Sequence, residues 1–379
     1  MEIKEYITDY DQLFDSMLKC KKNVSWKPSV KSFVLNGVEN CLKMEEQLQN
    51  DKWINKKPKP IVVTYPKRRE CLSIPFRDRV YQRSINDNSL YPQTTKHFVY
   101  TNIACQKFKG TKKAMDVMRQ YLHRYYINNK TNVGYVVWID IHGYYQNMRH
   151  KDVNECFYKM CDSDTASMSK DVLDTQYSGD IGYNPGSQMV QIAGISLLNE
   201  LDHFIKEKLH CKSFIRYMDD SYLITNDKEK AKQWKKIVCD KLIELGFEPN
   251  PKKAKVLRID KGFMFLGFKA TLSKTGKVYY NLSSENIKHE RRKLKKQVIK
   301  AKKGEMTKME GDKSMIIKQL DVSIEKQAQE EYQASQVQST KDELENQKFL
   351  TEYVACMAGI ELPFDEEETE EMTHVQDFE

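Results

Sequence analysis

Over the first 50 positions, apolar residues such as Leu13, Met17, Phe33 and Leu42 recur among many lysines and predict a mainly helical opening. Asn55-Lys56-Lys57-Pro58-Lys59-Pro60 breaks that pattern, and Ile61 to Tyr65 then reads as a strand. A second apolar run ends at Pro75-Phe76, so the basic turn Pro66-Lys67-Arg68-Arg69 joins two strands into a hairpin. Helices are expected from about Arg77 to Leu90 and again after Gly110, where Ala114, Met118 and Leu122 share a face and Thr111 serves as N-cap. Gly134 to Ile141 is almost continuously apolar, β-branched or aromatic, the signature of a strand buried on both faces. Residues 150–178 read as helical and polar. Turn-rich Asp180 to Gln188 leads into a long helix with Met189, Ile192, Ile195, Leu198, Leu201 and Ile205 at helical spacing. Two short apolar runs flank a tight turn in Phe214 to Ile224, the pattern of a β-hairpin. Glu229 to Leu245 is an amphipathic helix with Ala231, Trp234, Val238 and Leu242 inward, ended by Gly246. Gly262 to Phe268 reads as a strand, Lys274-Thr275-Gly276-Lys277 as a hairpin turn, and long polar helices begin at Ser284.

Composition narrows the classes. The 379 residues are 40% hydrophobic and 31% charged, enough for a packed core under a highly charged surface. No run of 18 apolar residues occurs and the first residues carry no apolar leader, so a cytoplasmic protein without a membrane span is expected. Nine cysteines without a CxxC pair read as reduced packing residues, and the eight histidines form no ligand pattern. Net charge is +8, but residues 361–379 hold nine carboxylates and no Lys or Arg. The body, residues 1–360, is therefore at +17, which attracts polyanions, nucleic acid first among them. The acidic tail itself reads as disordered.

The candidate chemistry centres on Phe214-Ile215-Arg216-Tyr217-Met218-Asp219-Asp220-Ser221-Tyr222-Leu223-Ile224. Two adjacent carboxylates between apolar strands are costly to bury, and a hard divalent cation removes that cost. Taken alone, the motif equally suits a surface hairpin with an acidic turn. Asp140 at the end of the buried strand needs a partner as well, and a metal shared with Asp219 and Asp220 would supply it. Between Glu285 and Lys303, nine basic residues stand against two acidic ones, a helical face for a phosphate backbone or a solvated helix.

The order of these features resembles reverse transcriptases. A basic hairpin precedes a buried strand ending in Asp, then a Gly-containing loop into a helix, the Tyr-Met-Asp-Asp box, a lysine-bearing segment and Phe265-Leu266-Gly267-Phe268. The likeness runs from about residue 61 to 268. It implies an α+β right-hand polymerase fold, with an antiparallel palm sheet packed on helices and an α-helical thumb. Residues 1–135 and 150–185 would supply N-terminal helices and fingers, 136–270 the palm, 271–360 the thumb and 361–379 the tail.

The resemblance assigns roles position by position. Asp140, Asp219 and Asp220 match the catalytic carboxylates that hold two Mg²⁺ ions, with Mn²⁺ as an alternative, and the Ile141 carbonyl is a further ligand. Lys253 matches a lysine that protonates the leaving pyrophosphate. Arg69, with Lys67 and Arg68, matches the grip on the incoming triphosphate, and Gly186 and Gln191 shape the nucleotide pocket. Tyr145 falls where an aromatic excludes the 2′-hydroxyl. Phe265, Leu266 and Gly267 match the primer grip, and Arg291, Arg292, Lys295 and Lys296 would face the duplex. Asn184-Pro185-Gly186 and Val190-Gln191 depart from the family's commoner forms, which leaves nucleotide preference open.

The expected activity is Mg²⁺-dependent RNA-directed DNA synthesis from dNTPs, with an RNA template and a DNA product as partners and a homo-oligomer or accessory protein left open. The Arg69-Glu70 to Arg77-Asp78-Arg79 string and Lys109-Gly110-Thr111 resemble bacterial enzymes of the diversity-generating and antiviral-defence lineages. No RNase H, integrase, maturase or endonuclease domain is expected, which favours a single-purpose enzyme on a dedicated non-coding RNA, in defence ahead of diversification. The alternatives are untemplated DNA synthesis and a non-catalytic RNA-binding scaffold.

Overall fold

The computed structural model describes residues 2–64, 68–184 and 186–302. Lys67, Lys303, the remainder of the expected thumb and the acidic tail lie outside them. The chain divides into two units, Met1–Ser283 and Ser284–Glu379.

The first unit opens with four helices, α1 (Ile3–Thr8), α2 (Tyr10–Lys21), α3 (Pro28–Leu35) and α4 (Gly37–Gln49). Leu13 and Met17 of α2 are buried, as is the i, i+3, i+7 series Cys41, Met44 and Leu48 of α4. Leu42, expected inside, is exposed because it lies one step off that stripe. Strands β1 (Lys59–Val63) and β2 (Arg69–Ser73) pair antiparallel, with Val63 opposite Arg69.

Next come α5 (Phe76–Ile85), a π-helical turn over Asn86–Leu90, α6 (Tyr91–Thr95) and α7 (Thr111–Asn129). Gly110, not Thr111, occupies the N-cap of α7. Its φ of +120° is one a β-carbon disfavours, and Thr111 is already the first helical residue. After β3 (Tyr135–Ile139) follow α8 (Tyr144–Asn147), α9 (His150–Met160) and α10 (Ser163–Gln176). The long helix expected after Gln188 is divided into α11 (Gln188–Leu197), α12 (Asn199–His203) and a π-helical turn, Phe204–Lys208. The six apolar positions named for it are all buried, so the apolar stripe survives the breaks.

Strands β4 (Phe214–Tyr217), β5 (Asp220–Thr225) and β6 (Lys255–Arg258) join β3 in an antiparallel sheet of order β4-β5-β3-β6. Between β5 and β6 lies α13 (Lys228–Glu244), whose first turn is capped by Asp227 and which Gly246 ends at φ +84°. Both faces of the sheet are covered, which explains the continuous apolar run of β3. Val137, Ile139, Phe214 and Leu223 join the core shared with α11, α13 and the N-terminal helices. Val136, Ile215, Tyr222 and Ile224 face the opposite way, into a core built with α7.

That second core is closed by β7 (Phe263–Phe265), β8 (Phe268–Leu272) and β9 (Val278–Leu282). The strand expected over Gly262 to Phe268 is instead a hairpin. Phe265 pairs with Phe268, and Leu266 and Gly267 turn the chain at φ +48° and +87°. The 270/271 boundary drawn from the sequence falls inside β8, and the compact unit runs on to Ser283. Helix α14 (Ser284–Lys302) is the described part of the second unit. Among the described residues, no helix is long and apolar enough to cross a membrane.

Candidate active site

The register of β3 against β5 pairs Ile139 with Ser221, so its next step sets Asp140 alongside Asp220. On the other side, β4 and β5 are joined by a two-residue turn, Met218-Asp219, between paired Tyr217 and Asp220. Three carboxylates are thus delivered to one end of the sheet by strand register alone. Met218 sits at φ +56°, a left-handed backbone that costs a bulky residue on the order of 1 kcal/mol or more.

The turn is tied down from behind. Arg216 is completely buried, and its Nε and Nη2 donate to both carboxylate oxygens of Asp202 at 2.6 Å. Nη2 also donates to the Ile195 carbonyl and Nη1 to that of Met218, each at 2.9 Å. A guanidinium fork satisfied on all sides fixes the carbonyl preceding Asp219. An arginine inside an apolar strand is a sequence signal for a buried ion pair, but Asp202 could not be chosen as its partner without the fold.

Each carboxylate has its own surroundings. Asp140 is buried; Lys253 Nζ donates to its Oδ1 and Asn250 Nδ2 to its Oδ2, both at 2.8 Å, while the Asn250 backbone N–H holds the Asp140 carbonyl. Asp220 accepts from the Trp138 indole at 2.9 Å, and that ring stacks on Tyr222. Burial pushes the Asp220 carboxyl up to about 7; the Trp138 bond opposes the shift, and the nearby Asp219 and Asp140 charges add to it. Asp219 is likewise raised by burial and by Asp140. Burial pulls the Lys253 ammonium down, but its bond to Asp140 and the three carboxylates overcome this and hold it above the ordinary lysine value. Neither Asn250 nor Trp138 was singled out from the sequence as a site residue, although Trp138 stands two positions before Asp140 and Asn250 three before Lys253.

The remaining candidates divide. Tyr145 is half-buried, with its ring against Gly194 of α11. Burial raises its phenol, with smaller effects of Cys105, Asp219 and Arg69, which brings hairpin β1–β2 and the carboxylates within electrostatic reach of one ring. Gly186 packs on the β2 backbone so closely that a β-carbon would lie 2.3 Å from the Leu72 carbonyl oxygen; only glycine fits there. Gln191 is exposed on α11, and Arg68 and Arg69 are exposed on their hairpin. Phe265 is fully buried under Tyr222, rings 5.0 Å apart, so only its backbone could meet a ligand. Leu266 and Gly267 form the turn beside it. Arg291, Arg292, Lys295 and Lys296 are exposed on α14.

Among the described residues, no group of three or more His, Cys, Asp or Glu is gathered tightly enough to grip a metal ion as the side chains stand. The donor set nevertheless fits one. Asp202 neutralises Arg216, and Lys253 is the cationic side chain hydrogen-bonded to the trio among the described residues. Three carboxylates facing one ammonium carry excess negative charge away from bulk water.

No curated protein matches the chain. Among solved structures, apo telomerase from Candida tropicalis aligns over 60% of this chain and 48% of its own, at 13% identity and a TM-score of 0.42. This chain thus spans about half of that one. Residues 65–270 match the reverse transcriptase (RNA-dependent DNA polymerase) family. The match covers more than half of the sequence, runs from β2 into β8 and takes in Asp140, Asp219, Asp220 and Lys253, so the chain belongs to the reverse transcriptase (RNA-dependent DNA polymerase) family.

Proposed function

We propose that this protein extends a primer 3′ end with deoxynucleoside triphosphates while copying RNA. The observation that carries the reading is the meeting of Asp140, Asp219 and Asp220 at one end of the central sheet, largely buried, with Lys253 on Asp140. These hard oxygen donors, with the Ile141 carbonyl, would hold two Mg²⁺ ions, or Mn²⁺ in their place. Bound there, such ions supply activation of the primer hydroxyl and charge neutralisation on the triphosphate.

The chain's own residues do the rest. Trp138 and Asn250 orient Asp220 and Asp140 through hydrogen bonds, and Arg216 fixes the turn that presents Asp219. Lys253, half-exposed and held in its charged form by the carboxylates, delivers its proton to the departing pyrophosphate. Arg68 and Arg69, with Lys67, take the triphosphate from the exposed hairpin. Tyr145 walls the sugar against a 2′-hydroxyl, and Gly186 and Gln191 frame the same pocket. In this reading residues 1–135 and 150–185 are N-terminal helices and fingers, 136–270 palm and 271–360 thumb. The primer rests against the Leu266-Gly267 turn, and Arg291, Arg292, Lys295 and Lys296 of α14 neutralise phosphates of the duplex. The Arg69 to Arg79 string and Lys109-Gly110-Thr111 resemble bacterial enzymes of the diversity-generating and antiviral-defence lineages, and our reading is a dedicated non-coding RNA as template, in defence ahead of diversification.

The test is sequencing of the product made from dNTPs on a defined RNA template and primer. A product complementary to the RNA is expected. A product unrelated to the template, or none, contradicts the reading.

A further inference from the structure

We propose that the segment from Tyr100 to Lys113 is a docking surface for single-stranded nucleic acid beside the catalytic hairpin; the placement of that strand rests on the polymerase reading. The base of the segment, Thr101 to Ala104, is buried against the edge of β4. The Arg216 N–H donates to the Thr101 carbonyl at 2.9 Å, and the Ile103 N–H donates to the Arg216 carbonyl at 3.1 Å. Gly110 N–H closes the loop on the Ile103 carbonyl, and Lys109 Nζ donates to the carbonyls of Tyr100 and Asn102. The loop also touches the Tyr-Met-Asp-Asp box itself. The Cys105 thiol lies 3.5 Å from the Met218 thioether, and the Thr111 and Tyr217 hydroxyls are 3.3 Å apart.

What this anchored loop displays is not explained by folding. Phe108 is 99% exposed at φ +60°, so it loses backbone stability and gains no burial. Glycine or asparagine would suit that position better. Tyr100 is 62% exposed, with the ammonium groups of Lys109 and Lys113 at 5.5 and 5.8 Å from its ring centre. Lys107 lies 5.3 Å from the Tyr91 ring centre. From 96 to 115 the sequence has five lysines and no carboxylate. Exposed rings interleaved with ammonium groups match a strand whose bases stack and whose phosphates are neutralised. A duplex does not fit this chemistry, because its base faces are already stacked on one another.

The experiment is fluorescence anisotropy of the full chain without metal or nucleotide. The probes are unstructured RNA and DNA strands of about 12 nucleotides and a blunt duplex of the same length. Phe108→Ala is expected to weaken single-strand binding about 5- to 100-fold, the loss of one stacked base, while leaving the duplex, the salt slope and the melting temperature unchanged. Phe108→Tyr keeps the wild-type affinity. A larger loss on RNA marks a template strand and a larger loss on DNA a product strand, either being a single strand on this surface. Unchanged single-strand affinity in Phe108→Ala, an equal loss on duplex, or a wild-type chain that binds no single strand overturns the proposal. Nothing is polymerised in this assay, so its failure leaves the polymerase reading standing, and failure of that reading leaves the binding measurable.

Discussion

Asp220 is held where water is scarce and two other carboxylates are near, which pushes its carboxyl up to about 7. In an unfolded chain the same group loses its proton near pH 4. Between those limits the folded, metal-free protein binds a proton that the unfolded chain has released. Its stability therefore falls as pH rises through this window and is lowest above it. Asp220→Asn removes the penalty. The metal-free melting temperature of the variant should exceed that of wild type by on the order of 5 °C at pH 8, with the gap closing toward pH 4. A gap that does not change with pH would contradict the assignment. These carboxylates were legible in the sequence because charged residues among apolar strands demand an explanation. What holds them was not: Lys253 and Asn250 reach Asp140 across 113 and 110 residues of chain, a distance that only the sheet closes.

At the scale of elements, hairpin β4–β5 is a strained turn kept in place by a buried ion pair. Removing one partner of such a pair leaves a charge unmatched and costs roughly 3–5 kcal/mol, whereas replacing both with apolar groups is often nearly neutral. Arg216→Met alone should therefore lower the melting temperature more than Arg216→Met combined with Asp202→Leu. Both variants should lose most nucleotide incorporation, because neither holds the Met218 carbonyl. A double variant with wild-type kcat would show that the turn needs no such hold. Strand β3 was readable because it is apolar almost throughout, and α7 and α13 because their stripes Ala114, Met118, Leu122 and Ala231, Trp234, Val238, Leu242 are buried as spaced. Phe265-Leu266-Gly267-Phe268 was misread as a strand because two positive φ angles at Leu266 and Gly267 leave no mark on an apolar run. The long helix after Gln188 was misread because its breaks leave the apolar stripe intact.

At the scale of the molecule, residues 1–360 carry a net +17, while Asp140, Asp219 and Asp220 gather negative charge at one end of the central sheet. The opposition is physical: polyanionic substrates are drawn to the basic surfaces, and the carboxylates at the sheet end require cations. The overall charge and the order of motifs were plain in the sequence, whereas the second core beneath β7–β9 and the strained loop at Phe108 needed the fold. The central claim is that the carboxylate trio performs nucleotidyl transfer. Its most direct test is single-turnover incorporation of one deoxynucleotide on an RNA-templated primer with Mg²⁺, comparing Asp219→Asn with wild type at matched circular dichroism. The account predicts a fall in rate of about a thousandfold or more, roughly 4 kcal/mol, with the fold intact. A folded Asp219→Asn protein that incorporates at the wild-type rate would contradict it.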